Sequence, residues 1–335
     1  MAVALYEPAL DDKLEALAKI LFGDRRIRSV GIGWNNNAYC FRAVRNSDEL
    51  VSIGTKQTLR KFADLEVIYE ELPGEIESFA RIPGNELFAA EHPEQQLQRP
   101  LCLGLEIQNF DHDNGTGLLQ HGRNVGSLGC FVQNGKNVAI LSNNHIIAGE
   151  NDGHVGTDRI LQNSATAFSQ DRLCGSLSNF VPLEGSAPHA NFADGNAILN
   201  TVDAAIANIH PGVDFLQRFH NQRPDLPEIV GVTAPMLNQQ VLKVGRSTGL
   251  THGRVVMVNS IVGPVNYGPG FTCWFRRTFR IEGDGGTAFA SRGDSGAAVI
   301  TPDGRLVGII FSGSATQTYA CTADEVLNAL AVQLI

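Results

Sequence analysis

Cysteine, aromatic residues and charge are all sparse in this sequence of 335 residues. The six cysteines include no Cys-x-x-Cys pair, so neither a zinc ribbon nor a dithiol redox site is expected, and free thiols favour a reducing, cytoplasmic location. No apolar run is long enough to span a bilayer and no secretory signal opens the chain, so no membrane partner is expected. The net charge of -9 argues against nucleic acid as a partner, because phosphate backbones select basic surfaces.

The front of the chain differs in composition from the rest. Residues 1–100 carry 12 of the 26 Lys and Arg residues and 16 of the 35 Asp and Glu residues. Apolar residues at helical spacing predict a helix over residues 10–22 that ends at Gly23. The other predicted elements are strands at Val30–Trp34, Ala38–Val44 and Leu65–Glu71 and a helix near Thr55–Phe62. We therefore expect a small α+β accessory or regulatory domain over residues 1–88 and a linker over 89–103.

From residue 104 onward the pattern is that of a mainly β protein. Short β-type runs are separated by Gly, Asn, Asp and Pro, which indicates a barrel or sandwich. An amphipathic final helix is predicted over residues 324–334, and the proline-rich stretch from 210 to 238 is predicted to join two sub-barrels. The predicted strands include Asn137–Leu141, Val202–Ile209, Gly253–Ile261, Ala297–Ile300 and Leu306–Phe311.

The sharpest chemical signal is the string Gly293-Asp294-Ser295-Gly296, which lies just before an apolar strand. A serine nucleophile needs a hydroxyl on a tight turn, and Gly293 allows backbone N–H groups to point at a developing oxyanion. A plain Gly-Asp turn before a strand would give the same four letters. Ser295 is thus a candidate nucleophile.

A serine nucleophile also needs a base and a carboxylate that orients the base. Of the nine histidines, His145 lies in an apolar, strand-like context, whereas His154 and His252 are predicted in loops. Asp203 is a charge inside an otherwise apolar run, and burial of that charge requires a partner. Asp194, in a polar segment, is the rival for the third position.

The order His145, Asp203, Ser295 on a β-rich chain resembles the chymotrypsin-like (trypsin-like) serine peptidases over about residues 104–335. The segment Gly-Arg-Ser-Thr-Gly around Arg246 is similar to the strand that opens the second barrel in the bacterial α-lytic and streptogrisin-type branch. The front segment, followed by Gly126-Ser-Leu-Gly-Cys and Leu141-Ser-Asn-Asn-His, resembles an intracellular bacterial and plant subgroup of trypsin-like proteins that has an N-terminal extension.

The resemblance implies a two-barrel antiparallel fold with barrels roughly over 104–225 and 236–335. It implies a serine endopeptidase that hydrolyses a protein or peptide substrate without a cofactor or a metal. Two alternatives stay open. The chain could keep the fold as a catalytically silent scaffold or binding protein, because a fold does not fix a function. It could also be a gated protease, whose front domain binds a regulatory partner and holds the site closed.

Further roles follow from the resemblance. The N–H groups of Gly293 and Ser295 are expected to form the oxyanion hole. Asp294 is expected to be buried and to pair with the guanidinium of Arg246, because a buried carboxylate needs a cation. This ion pair is expected to hold the site in its active arrangement without any cleavage of the chain.

The resemblance also places a specificity pocket at Phe289, Ser312 and Gly313. Neither Phe289 nor its alanine neighbours offer a carboxylate, so an uncharged, apolar residue is expected before the cut. The family's serine that supports the catalytic aspartate would fall near Phe311 or Ser312.

Overall fold

The structure, a computed structural model, describes residues 9–46, 66–72, 74–79, 81–82, 92–113, 123–163, 167–220, 223–268 and 270–335. The described helices are few and short, and none of them is long and apolar enough to cross a membrane. They are α1 (Ala9–Leu21), α2 (Phe110–Asp113), α3 (Asn144–Ile147) and α4 (Ala323–Leu330).

The strands belong to two large sheets and one small pair. In chain order they are β1 (Ile27–Asn35), β2 (Ala38–Arg45), β3 (Val67–Glu71), β4 (Glu77–Ser78), β5 (Arg81–Ile82), β6 (Leu101–Leu103), β7 (Glu106–Asn109), β8 (Arg123–Ser127), β9 (Cys130–Asn134), β10 (Asn137–Ser142), β11 (Arg159–Gln162), β12 (Leu173–Phe180), β13 (Leu199–Asn200), β14 (Ala205–Ile209), β15 (Phe215–Phe219), β16 (Gly231–Val232), β17 (Gln240–Gly245), β18 (Gly249–Gly268), β19 (Phe271–Gly283), β20 (Ala298–Ile300), β21 (Arg305–Gly313), β22 (Thr318–Thr322) and β23 (Gln333–Leu334).

Six strands of the larger sheet close into a ring. The strands β17, β18, β19, β22, β21 and β20 pair antiparallel in that order, and β20 pairs with β17 to complete the ring. Closure gives each of these strands two neighbours and encloses an apolar interior. Ser295 lies in the turn that leads into β20.

The nine-stranded sheet forms the other half of the double barrel. Its strands run antiparallel in the order β23, β9, β10, β14, β12, β11, β7, β8, β5. His145 follows β10, and Asp203 precedes β14. The expected mainly β, two-barrel antiparallel fold is confirmed.

The front segment packs differently from the separate domain expected over residues 1–88. Strand β1 pairs antiparallel with β18, so β1, β2 and β3 extend the sheet of the second barrel. Helix α1 and β1 share one hydrophobic cluster with residues of that barrel, and the ring of Phe22 lies 5.0 Å from that of Trp274. The described front segment shares both a sheet and a hydrophobic core with the second barrel. It is therefore part of that barrel and not a separate domain. The predicted helix near Thr55–Phe62 lies outside the described residues.

Other boundaries also differ from the sequence expectation. The predicted linker over 89–103 ends in strand β6, which pairs with β15 of the connection between the barrels. The final helix ends at Leu330, because Ala331 adopts a left-handed conformation (φ 54°), and β23 then joins the first barrel. The second barrel therefore does not extend to residue 335.

Candidate active site

Strand register brings His145 and Asp203 together. Strands β10 and β14 pair antiparallel with Ser142 opposite Ala205, so the residues just after β10 meet those just before β14. The imidazole Nδ1 of His145 contacts Asp203 Oδ2, and the other carboxylate oxygen accepts the His145 backbone N–H at 3.2 Å. Both side chains are fully buried. A neutral imidazole that donates from Nδ1 has its basic lone pair on Nε2.

Tyr267 completes the surroundings of Asp203, and the sequence did not point to it. Its phenol donates a hydrogen bond of 2.8 Å to Asp203 Oδ2. Its ring lies edge-on to that of His145, with centroids 5.5 Å apart. Burial, reinforced by the charge of Asp203, raises the pKa of Tyr267 well above its usual value, so the phenol keeps the proton that it donates.

The Ser295 turn depends on two glycines. Gly293 has φ 95° and Gly296 has φ 88°, a region that residues with a Cβ rarely adopt. A Cβ on Gly296 would also collide with Ser142 Oγ and the Ser127 carbonyl of the first barrel. The turn therefore fits closely between the two barrels.

Backbone contacts fix Ser295 against the first barrel. The N–H of Ser127 donates to the Ser295 carbonyl at 2.7 Å, and Ser127 Oγ donates to the Gly293 carbonyl at 3.1 Å. The Ser295 hydroxyl donates to the Phe311 carbonyl at 3.4 Å. Ser295, like His145 and Asp203, has no exposed surface.

Asp294 is fully buried beneath the turn, as expected, but the cation beside it is Lys243. Lys243 Nζ lies 3.3 Å from Asp294 Oδ2 and also bonds to Thr248. The carboxylate accepts further bonds from the N–H groups of Ser247 and Ser291 and from the Thr248 hydroxyl, at 2.8, 2.9 and 2.7 Å. Burial lowers the pKa of Lys243, and the neighbouring carboxylate opposes that change.

The expected pairing of Arg246 with Asp294 is thus replaced by another. Arg246 Nε donates to Glu106 Oε2 of strand β7 at 2.6 Å, with both side chains almost completely buried. The Arg246 backbone N–H bonds to Ser127 Oγ at 3.0 Å. Arg246 follows β17 by one residue whereas Lys243 lies within it, so the two side chains leave the strand in different directions. Arg246 therefore links the barrels, and Lys243 neutralises Asp294.

A cleft of about 310 Å³ is lined in part by Ser291 and Arg292, which precede the Ser295 turn. The barrel contributes Gly313 to its lining, as expected, together with Ala288 and Ala290. Phe289 lies in the core and does not line the cleft, and its ring is 6.0 Å from Lys243 Nζ.

Ser312 is fully buried, and its hydroxyl has no hydrogen-bond partner among the described residues. The predicted support of Asp203 by a residue near 311 or 312 is therefore provided by Tyr267 instead.

The other residues considered lie away from the site. Asp194 is exposed in a turn, where its N–H bonds to the Asn191 carbonyl, and it is not the partner of His145. His154 and His252 are exposed. All six cysteines are free and buried.

Comparison with known proteins gives one partial family match. Residues 193–323, less than half of the chain, match the family described as the Nal1 C-terminal domain. No curated protein of similar sequence was found.

Solved structures of similar architecture are serine proteases, as the sequence resemblance indicated. A chymotrypsin of Cellulomonas bogoriensis has 19% identity and a TM-score of 0.42, covering 64% of this chain and 92% of its own. Protease A of Thermobifida fusca has 15% identity and a TM-score of 0.43, covering 63% and 91%. A Nocardiopsis protease has 16% identity and a TM-score of 0.45, covering 70% and 98%. Matches this distant concern architecture alone and carry no information on substrate.

Proposed function

We propose that this protein is a serine endopeptidase that hydrolyses peptide bonds in a protein or peptide substrate. The observation that carries the proposal is the buried pair of His145 and Asp203 on the first barrel, which is also the barrel that holds the Ser295 turn in place. Ser127 connects the two parts, because its backbone and side chain bond to the carbonyls of Ser295 and Gly293. These are also the residues that the sequence indicates, with His145 as the base and Ser295 as the nucleophile.

In this proposal, Ser295 attacks the carbonyl carbon of the substrate, and His145 Nε2 takes the hydroxyl proton. Asp203 holds the imidazole in the tautomer protonated at Nδ1 and stabilises the imidazolium that forms. The N–H groups of Gly293 and Ser295 stabilise the oxyanion. His145 then returns the proton to the leaving amine, and water releases the acyl group by the same steps.

The barrel residues that line the cleft favour an uncharged, apolar side chain before the cut. Ala288, Ala290 and Gly313 provide apolar contacts and no carboxylate that could pair with lysine or arginine. Profiling of a peptide library tests the preference, and fast cleavage after arginine would contradict it.

A fluorophosphonate probe tests the proposed nucleophile, since it labels activated serines covalently. We expect slow but complete labelling of the protein, and none in Ser295→Ala or His145→Ala. Ser314→Ala is the matched control, because Ser314 lines the same cleft. Complete resistance of correctly folded protein, at every probe concentration and time, would contradict the endopeptidase and favour a scaffold.

A further inference from the structure

Residues 77–79 of the front segment, here called the 77–79 segment, lie along the strand that borders the cleft. Strand β4 pairs antiparallel with β21, with Glu77 opposite Gly313 and Ser78 opposite Ser312. The N–H of Phe79 continues this ladder by donating to the Phe311 carbonyl at 3.4 Å. Extended peptides bind many proteins in this way, by adding a strand to a sheet edge while alternate side chains enter pockets.

The carbonyl of Phe79 points at the turn that carries Ser295. It accepts a hydrogen bond of 2.8 Å from the N–H of Gly293, the group to which we assign oxyanion stabilisation. Phe311, whose carbonyl accepts the Phe79 N–H, also accepts the Ser295 hydroxyl. The backbone of Phe79 is therefore held on both sides by groups next to the nucleophile.

The side chains of the 77–79 segment match the cleft. Phe79 is only 4% exposed and lines the cleft with Ala288 and Ala290, and its ring lies so close to Gly313 that a Cβ there would collide with it. Glu77 forms an ion pair with Arg292, and these side chains are 39% and 50% exposed. An ion pair this exposed adds little stability but can select an acidic residue at that position.

We propose that the 77–79 segment is an internal occupant of the substrate cleft, bound in the register of a substrate with Phe79 before the scissile position. The proposal rests on the proposed function for the identity of the cleft. A peptide substrate therefore has to displace the segment before it can reach Ser295, which has no exposed surface. The preferred substrate then carries an aromatic residue before the cut and an acidic residue two positions upstream.

Peptide binding tests this occupancy without requiring catalysis. The probe is a fluorescein-labelled peptide with the sequence of residues 75–82, and its anisotropy is measured with Ser295→Ala protein and with the double variant Ser295→Ala/Phe79→Ala. The apparent affinity is proportional to the fraction of molecules in which the segment has left the cleft. We therefore expect the double variant to bind the peptide at least about tenfold more tightly than the single variant. Peptide in which Phe is replaced by Ala should bind neither protein.

Two controls separate displacement from general loosening. Phe41→Ala removes an equally buried ring of the front segment that does not line the cleft, and it should leave affinity unchanged. Glu77→Gln should tighten peptide binding, whereas Glu71→Gln, which breaks a comparable ion pair with Arg45, should not. Equal affinities in the presence and absence of the Phe79 ring would overturn the occupancy. Because the probe binds a Ser295→Ala protein, that result differs from a failure of fluorophosphonate labelling, which concerns the endopeptidase alone.

Discussion

The phenol of Tyr267 and the imidazole of His145 meet on the same carboxylate oxygen, Asp203 Oδ2. Tyr267 belongs to the far end of strand β18 in the second barrel, whereas Asp203 precedes a strand of the first. The contact therefore ties the orientation of the candidate base to the way in which the two barrels pack. Phe311 and Ser312, where the sequence suggested support for Asp203, do not supply it.

The first prediction concerns this hydrogen bond. Tyr267→Phe keeps the ring beside His145 and removes the donor, so we expect kcat/KM to fall about ten- to a hundredfold, because a hydrogen bond to a charged group is worth about 1.5–3 kcal/mol. Tyr319→Phe is the control, as its buried hydroxyl bonds to Ser29 away from the site. Equal losses in both variants would show that Tyr267 has no positioning role.

The second prediction concerns the charge beneath the Ser295 turn. Lys243→Met leaves the buried carboxylate of Asp294 without its cation, and we expect a loss of about 3–5 kcal/mol in the free energy of unfolding. Adding Asp294→Asn should recover much of this loss, because no unpaired charge then remains. Urea titration measures both. If Lys243→Met lowered the free energy of unfolding equally in the wild type and in the Asp294→Asn background, the ion pair would contribute nothing to stability.

The third prediction concerns the fit of the Ser295 turn between the barrels. Gly296→Ala and Gly270→Ala both place a Cβ at positive φ, 88° and 79°, which costs about 1–2 kcal/mol. A Cβ at 296 also collides with Ser142 and Ser127, whereas a Cβ at 270 has no neighbour within 4 Å among the described atoms. We therefore expect Gly296→Ala to lose a further 1–3 kcal/mol or so in urea unfolding and most of its activity. Equal stabilities of the two variants would contradict the tight fit.

The fourth prediction concerns alkaline stability. Burial raises the pKa of Cys130 and of Cys174 from the ordinary value of 9.0 to about 12. Between pH 9 and 12 these thiols keep their protons in the folded state but lose them in the unfolded chain, so stability falls as pH rises. Each thiol contributes a slope of up to about 1.4 kcal/mol per pH unit, and Cys130→Ala should remove one such contribution. Identical slopes for the variant and the wild type between pH 10 and 11 would contradict the shift.

Local patterns were sufficient to find the candidate chemical residues. Ser295 stands in a four-residue turn motif, and His145 and Asp203 are polar residues inside apolar runs, where burial demands a partner. Each of these signals lies within about ten residues of sequence. The same is true of α1, whose apolar residues recur at the helical spacing of its one buried face.

Contacts between distant parts of the chain could not be found in the same way. Tyr267 contacts Asp203 across 64 positions, and Lys243 contacts Asp294 across 51, so strand register alone decides which side chains meet. Asp294 pairs with Lys243 and not with the expected Arg246, although these two residues stand only three positions apart near the end of β17. A shift of three residues along one strand therefore changes which cation reaches the carboxylate.

The mainly β character of the chain and the candidate serine, histidine and aspartate follow from the sequence alone, because composition, alternation and turn motifs are local properties. The pairing of the front segment with the second barrel, and the place of Phe79 in the cleft, depend on the folded chain. Nothing near Phe79 marks it as an occupant of a site, because that role arises when β4 pairs with β21, more than two hundred residues away. Pairing of this kind is selected by the burial and hydrogen bonding of the whole sheet, and no short window of sequence contains that information.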